Sequence, residues 1–213
     1  MKKLLILVSL LLVSVLNANA QFSIGAASGG VLGGDTNEYS TLAPGYFGEL
    51  QFRLILKNEW YVSATPRFES SSYQSKASSP YTFYYFTNSM EFPFHFGHRN
   101  ALSDKVMLFY DLGPSLHWIM TNDYYGSVYG VELSDKIHPI DLGYVKRFNM
   151  DLGATVGVDV WNHMKVFAGF DFGVLPEQRT AFLENFQVSP THPFSVRLGV
   201  GCYFSFKKRN KSK

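Results

Sequence analysis

After residue 20 the chain alternates apolar and polar residues with a period of two. Over 149–160 the apolar residues occupy the even positions, and small or charged residues occupy the odd ones. Segments 164–174 and 194–206 repeat this pattern. Alternation with period two predicts β-strands that differ on their two faces. Five earlier strands are predicted at about 22–31, 46–56, 60–69, 82–97 and 105–120, which gives eight strands in all.

The composition of the less apolar face separates two all-β architectures. In a soluble sandwich or lipocalin the apolar face points inward, and the outer face carries many Lys and Glu side chains. Here the second face holds glycines and isolated charges instead, which suits the crowded lumen of a narrow barrel with its apolar face in lipid. The predicted lumen residues are Glu49, Gln51, Arg53, Ser63, Thr65, Arg67, Glu69, Glu91, His95, Asp111, Ser115 and His117. The sequence therefore predicts an eight-stranded antiparallel up-and-down transmembrane β-barrel.

Connections of alternating length set the orientation of the barrel. Short links are predicted at 57–59, 98–104 and 161–163, and longer polar ones at 32–45, 70–81, 121–147 and 176–192. Outer-membrane barrels have short periplasmic turns and longer external loops. Aromatic residues near the predicted strand ends fit interfacial girdles; they are Trp60, Tyr81 to Phe86, Trp118, Trp161, Phe204 and Phe206.

The two ends of the chain differ from the barrel in composition. Lys2 and Lys3, an apolar run from Leu4 to Leu16 and Ala18-Asn19-Ala20 predict a cleaved signal peptide over 1–20. The barrel is predicted over 21–206, followed by a basic C-terminal tail over 207–213. Without Lys2 and Lys3, 17 basic residues balance 17 acidic ones. This balance lacks the excess of basic residues that is typical of nucleic-acid-binding proteins. The single cysteine, Cys202, excludes an internal disulfide framework and falls on the apolar face.

Two predicted tight turns also fix a strand register. Opposed residues of an antiparallel pair face the same side, so their numbers here must sum to an even value. The turn at 161–163 pairs Val160 with Met164 and places Asp159 opposite Lys165. The turn at 57–59 pairs Leu56 with Trp60 and places Glu49 opposite Arg67. Both registers predict opposite-charge pairs inside the lumen.

No motif for catalysis, cofactor binding or metal binding is assigned. Asp111, Ser115 and His117 share a face, which a serine hydrolase would need, but a hydrogen-bonded lumen explains the same residues. Glu91 and His95 share a face without the convergent spacing of a zinc site. The remaining histidines are scattered, at His98, His138, His163 and His192. The glycine-rich 29–34 segment precedes no helix, so it predicts a strand entering a loop rather than a phosphate cradle.

Three segments carry a resemblance to a known family. Met90-Glu91-Phe92-Pro93-Phe94-His95-Phe96 is similar to the strand containing E-x-P in PorT-like small outer-membrane barrels. The segments 151–157 (DLGATVG) and 198–204 (LGVGCYF) resemble later strands of that family. The resemblance implies an eight-stranded barrel in the outer membrane of a diderm bacterium. One departure is the basic tail after Phe206, where such barrels often end on an aromatic residue.

The function expected from these features is a non-enzymatic outer-membrane barrel with a side-chain-filled lumen and a surface-interaction or envelope-structural role. One alternative is an accessory component of a secretion or envelope-assembly system, and another is a lipid-modifying hydrolase. Expected partners are outer-membrane lipid, lipopolysaccharide and the barrel-assembly machinery. The loops 121–147 and 176–192 are candidates for contact with extracellular protein or glycan.

Overall fold

The computed structural model describes residues 21–36, 40–78, 81–128, 131–132, 138–161, 163–176 and 191–206. The predicted signal peptide 1–20 and basic tail 207–213 lie outside the described residues. The strands are β1 Gln21–Asp35, β2 Ser40–Ile55, β3 Trp60–Ala64, β4 Arg67–Ser78, β5 Tyr81–Ser103, β6 Val106–Val128, β7 Val131–Glu132, β8 Phe148–Val160, β9 Met164–Gly173 and β10 Pro193–Phe206, with a 3₁₀ turn at Lys57–Glu59. Within this part of the chain, no helix is long and apolar enough to cross a membrane.

The strands form one sheet that closes on itself. Its order is β3-β5-β4-β2-β1-β10-β9-β8-β6-β7, and pairing of β5 with β6 completes the ring. β3 and β4 both pair with β2 and with β5, so they form one interrupted strand. Pro66 lies at the interruption, where it has no N–H to donate to a ladder. β7 is a two-residue strand that pairs antiparallel with Ser127 and Val128 at the outer end of β6. The ring therefore has the eight antiparallel strands that the sequence predicted.

The strands continue further outward than the sequence indicated. β5 and β6 contain 23 residues each, and most of the predicted loops 32–45 and 70–81 is paired strand. The first part of the predicted loop 121–147 likewise continues β6. These extensions lack the regular apolar alternation that marks a membrane strand, so sequence reasoning assigned them to loops. The predicted link 98–104 is also shorter than expected, because β5 runs to Ser103 before a turn at 104–105.

Both predicted hairpin registers are confirmed. Val160 pairs with Met164 and Asp159 with Lys165, while Glu49 pairs with Arg67. The turns are made by non-glycine residues in the left-handed region: Asn58 and Glu59 have φ of 61°, and Trp161 has φ of 52°. Odd-numbered residues face the lumen along most of the barrel. An irregularity in the pairing of β5 with β6 shifts this parity above Ile119.

The outward face of the barrel is apolar. Leu112, Leu198 and Phe204 are each more than 60% exposed, and Cys202 is exposed as predicted. Exposed aromatic rings lie at both ends of this surface: Trp60 stacks on Phe96, with ring centroids 4.9 Å apart, at the end bearing the tight turns. At the other end Trp118 stacks on Phe148 at 6.2 Å. An apolar exterior bounded by aromatic girdles is the surface of a barrel that spans a bilayer.

Candidate functional site: the charged lumen

The interior of the barrel is the reverse of a soluble core, because most of its buried residues are polar. Nine of the twelve predicted lumen residues are buried, and Gln51, Ser63 and Thr65 are half-buried. The buried ionisable groups comprise seven carboxylates, five cations and two histidines. They are Glu49, Glu69, Glu91, Asp111, Asp151, Asp159, Asp171, Arg53, Arg67, Arg99, Lys165, Arg197, His95 and His117.

Two ion pairs cross the full width of the lumen. Arg53 on β2 lies 2.8 Å from Asp159 on β8, and Arg67 on β4 lies 2.9 Å from Asp171 on β9. In the ring of eight strands, each of these pairs joins strands four places apart, which are diametrically opposite. Charged side chains therefore meet across the lumen at two levels.

The ion pairs differ from those inferred from the hairpin registers. The carboxylate of Glu49 lies 3.1 Å from Lys165 and 3.8 Å from Arg197. Arg67 contacts Glu91 and Asp171 instead of Glu49. Asp159 likewise pairs with Arg53 rather than with its cross-strand neighbour Lys165. The oppositely charged residues are cross-strand neighbours as predicted, but their short ion-pair contacts are with other residues, because long side chains in a narrow lumen reach beyond the adjacent strand.

Aromatic rings also occupy the lumen, so its face is not only small or charged. The guanidinium of Arg53 lies 4.6 Å from the centroid of the Tyr61 ring and 4.9 Å from that of Phe109. A glycine at the paired position of the neighbouring strand makes room for such a ring. A Cβ on Gly157 would lie 2.7 Å from the Phe109 ring, and one on Gly199 would lie 2.6 Å from the Phe167 ring. These glycines are therefore required by the packing of the interior.

The three residues considered for hydrolysis do not form a catalytic set. Asp111 accepts a hydrogen bond from Tyr61 Oη at 2.7 Å and lies 2.7 Å from His95 Nδ1. His117 Nδ1 lies 3.0 Å from Asp151 on the neighbouring strand. Ser115 Oγ is buried and has no hydrogen-bond partner among the described residues. A serine nucleophile needs a base within hydrogen-bond reach, and this arrangement supplies none.

A second grouping brings together residues that the sequence did not connect. Glu91 on β5, His117 on β6 and Asp151 on β8 each offer one ligand atom, and these atoms lie within 4.8 Å of one another. Sequence reasoning missed the group because its members come from three strands. Glu91 and His117 are paired residues, but the register between β6 and β8 is set across a long connection. In the sequence these three residues share one feature: all have odd numbers, and odd-numbered residues of these strands face the lumen.

The other histidines lie near the ends of the barrel. His98 and His192 each lie within hydrogen-bond distance of a backbone carbonyl, at 3.1 Å and 2.9 Å. His163 has a longer contact of 3.4 Å with the carbonyl of Tyr203. His138, outside the barrel wall, lies 2.9 Å from the carboxylate of Asp123. Each of these four histidines therefore has at least one polar contact with the protein.

Two small cavities separate the side chains of the lumen. The larger, of about 40 Å³, is lined by Glu69, Glu91, His117, Asp151 and Asp171 together with residues of the outer strand ends. The smaller, of about 20 Å³, lies around Glu49, Arg53, Lys165 and Arg197. Cavities of this size hold from one to a few water molecules.

Comparisons with known proteins return similar folds and no sequence family. No family model matches the chain, and no curated protein matches it. The outer membrane protein OprG of Pseudomonas aeruginosa is similar with a TM-score of 0.48 and 11% identity, over 88% of this chain and 96% of that one. Neisserial surface protein A gives 0.43 and 11%, over 86% and 97%. Ail, the attachment invasion locus protein of Yersinia pestis, in complex with the heparin analogue sucrose octasulfate, gives 0.42 and 13%, over 86% and 99%.

Ring closure, the apolar exterior and the charged interior together define the class of protein. In lipid every backbone polar group must be satisfied internally, which a closed sheet achieves because it has no free edge. Antiparallel barrels with apolar girdled exteriors and polar interiors are the integral proteins of bacterial outer membranes. The chain is a small outer-membrane β-barrel.

Proposed function

We propose that this barrel is a non-enzymatic outer-membrane protein whose closed lumen supports a surface-interaction or envelope-structural role. The observation that carries the proposal is the pair of ion pairs that cross the lumen diameter, Arg53 with Asp159 and Arg67 with Asp171. They fill the space through which a solute would pass. Because the lumen favours neither transport nor catalysis, we expect the external loops to determine which partner the protein binds.

Lipid and lipopolysaccharide would contact the apolar wall and its girdles. An extracellular protein or glycan would contact the segments 121–147 and 176–192. Within the first of these, residues 121–128 continue β6, residues 131–132 form β7, and residues 138–147 consist mostly of turns, with Leu142 exposed. Of the second, only residues 176 and 191–192 are described. Insertion would require the barrel-assembly machinery, as for other barrels of this class.

The resemblance to PorT-like barrels supports a second candidate function, an accessory role in secretion or envelope assembly. The strands that carry the resemblance are ring strands here: 90–96 lies in β5, 151–157 in β8 and 198–204 in β10. This candidate predicts that loss of the protein removes particular proteins from the cell surface. The hydrolase alternative instead predicts an altered lipid A structure.

A deletion strain complemented with two variants separates these roles. One variant is the full barrel. In the other, 133–137 and 177–190 are replaced by short Gly-Ser linkers, which leaves every described strand unchanged. If the shortened variant does not restore binding of extracellular protein or glycan to the cells, the loops mediate the interaction. If it restores the wild-type phenotype fully, an envelope-structural role is supported. Changed lipid A in the deletion strain, restored by the full barrel, would contradict the non-enzymatic proposal. Loss of surface cargo would favour the secretion role.

Conductance tests the closed lumen directly. We expect purified protein in planar bilayers to give negligible ion current, because ion pairs cross the lumen at two levels and eight strands enclose little more than side-chain space. As a control, replacing Arg53, Arg67 and Arg197 together with Ser removes three of the large side chains that fill the lumen, and should raise the current if the barrel still folds. Stable single-channel openings of the unmodified protein in ordinary salt would contradict a closed lumen.

A further inference from the structure

Charge is distributed unevenly between the two cavities of the lumen. The smaller cavity is lined by both signs, with Arg53, Arg67, Lys165 and Arg197 beside Glu49 and Asp111. The larger, which we term the upper cavity, is lined by four carboxylates and one histidine and by no Lys or Arg of the described chain. These five residues are Glu69, Glu91, His117, Asp151 and Asp171.

The cations near the upper cavity do not balance these carboxylates. Arg67 contacts Glu69, Glu91 and Asp171 from below, and Arg197 contacts Asp171. Two guanidinium groups therefore contact three of the four carboxylates, and the fourth, Asp151, lies beside His117. Across all the buried groups of the described chain, the excess is also two, with seven carboxylates against five cations. Unbalanced charge in a buried site is costly, so a cationic ligand or protonation must offset it.

Several acceptor atoms around the upper cavity have no donor. Asp151 Oδ1, Asp171 Oδ1 and Glu69 Oε2 are buried and accept no hydrogen bond from the described residues. The side chains of Asp151 and Asp171 are only 5% exposed. Buried acceptors normally have a partner. Their position around one cavity shows where the missing partner would lie.

We propose that the upper cavity binds a divalent transition-metal ion of the Zn²⁺ class, with Glu91, His117 and Asp151 as its protein ligands. The candidate ligand atoms lie within 4.8 Å of one another, and His117 Nδ1 is already 3.0 Å from Asp151 Oδ2. Ligands at about 2.0–2.2 Å from zinc lie about 3.3–3.6 Å apart around a tetrahedral ion, so the group needs only small adjustments. A double positive charge would also offset the excess of two carboxylates.

The ligand set selects the kind of ion. Imidazole nitrogen suits zinc and its transition-metal neighbours, whereas sites for Ca²⁺ and Mg²⁺ are built from oxygen alone. Three protein ligands leave a fourth position for water. The ion would hold β5, β6 and β8 together near the outer end of the barrel, where the long strand extensions begin. Its role here is structural, which is compatible with a closed lumen.

Zinc titration of untagged protein, freed of metal and then of chelator, tests the site. Untagged protein is needed because a polyhistidine tag binds zinc itself. We expect calorimetry to give one Zn²⁺ per chain, and His117→Gln or Asp151→Asn to weaken the dissociation constant at least about tenfold. The matched controls are His95→Gln and Asp111→Asn, which alter a second buried His–Asp pair in the same lumen. They should leave zinc affinity within about threefold.

Folding of each variant is checked by the different migration of boiled and unboiled samples on a gel. Should the variants not fold, zinc-edge X-ray absorption of the unmodified protein replaces them, with one imidazole nitrogen and otherwise oxygen ligands expected. The proposal is overturned by absence of zinc binding, or by an absorption spectrum without imidazole. It is equally overturned if Ca²⁺ binds as tightly as Zn²⁺, or if affinity is lost in His138→Gln, at the exposed histidine, rather than in His117→Gln.

Discussion

The ion pair between Arg53 and Asp159 gives the sharpest test of the cross-lumen contacts. Asp159 is fully buried, and its nearest cation is Arg53 at 2.8 Å, with Arg99 further away at 3.7 Å. We consider Arg53→Met, which keeps most of the side-chain volume, Asp159→Asn and the double variant. Removing one partner of a buried ion pair typically costs about 3–5 kcal/mol. Because Arg99 still compensates Asp159 in part, we expect the lower end for Arg53→Met, about 3 kcal/mol of unfolding free energy.

Asp159→Asn should cost a similar amount, because it removes the carboxylate that pairs with Arg53 and leaves the buried guanidinium over the rings of Tyr61, Phe109 and Tyr203. The double variant removes both charges, so its cost should fall short of the sum of the two single costs. Groups in direct contact couple by about 0.5–3 kcal/mol, and for this close buried pair we expect about 2 kcal/mol. The double variant should then cost about 4 kcal/mol rather than about 6.

The assay is reversible unfolding by urea in lipid vesicles, followed by the fluorescence of Trp60, Trp118 and Trp161. A second cycle with Lys165→Met and Asp159→Asn is the control, because Lys165 is the cross-strand neighbour of Asp159 but pairs with Glu49 at 3.1 Å. Its coupling should be smaller. The reasoning is refuted if the Arg53 cycle is additive within about 0.5 kcal/mol, and above all if the Lys165 cycle then shows the larger coupling.

Three further predictions concern the membrane topology. Leu112→Arg, in the middle of the lipid-facing surface, should destabilise the barrel by about 2–4 kcal/mol in the same assay. Leu142→Arg, in an external turn, should change stability by less than about 0.5 kcal/mol. Equal effects of the two substitutions would show that the lipid-facing surface is assigned wrongly. Protease added to whole cells should cut within 133–137 or 177–190 and spare 57–59, and the reverse pattern would invert the topology. Unboiled protein should migrate differently from boiled protein on a gel, since a closed barrel resists unfolding; recovery as a soluble monomer would contradict a membrane barrel.

The sequence alone determined the strand number, the face of the residues along most of the barrel wall and the register of two hairpins. These features are local. The pleat makes the side-chain period two, lipid demands an apolar outer face, and a three-residue turn such as 161–163 allows only one register. Strand ends above the membrane were not predictable in this way, because the polar and aromatic residues after Met120 carry no alternation.

Which lumen charges meet was decided by the closed ring alone. Arg53 reaches Asp159, 106 positions away in the sequence, because the ring places β2 opposite β8 and is narrow enough for the side chains to touch. Glu91, His117 and Asp151 converge because two registers combine, and that between β6 and β8 spans a long connection. Their odd residue numbers were enough to predict that these side chains face the lumen. Distance between them depends on the diameter and stagger of the whole sheet, which no local pattern encodes.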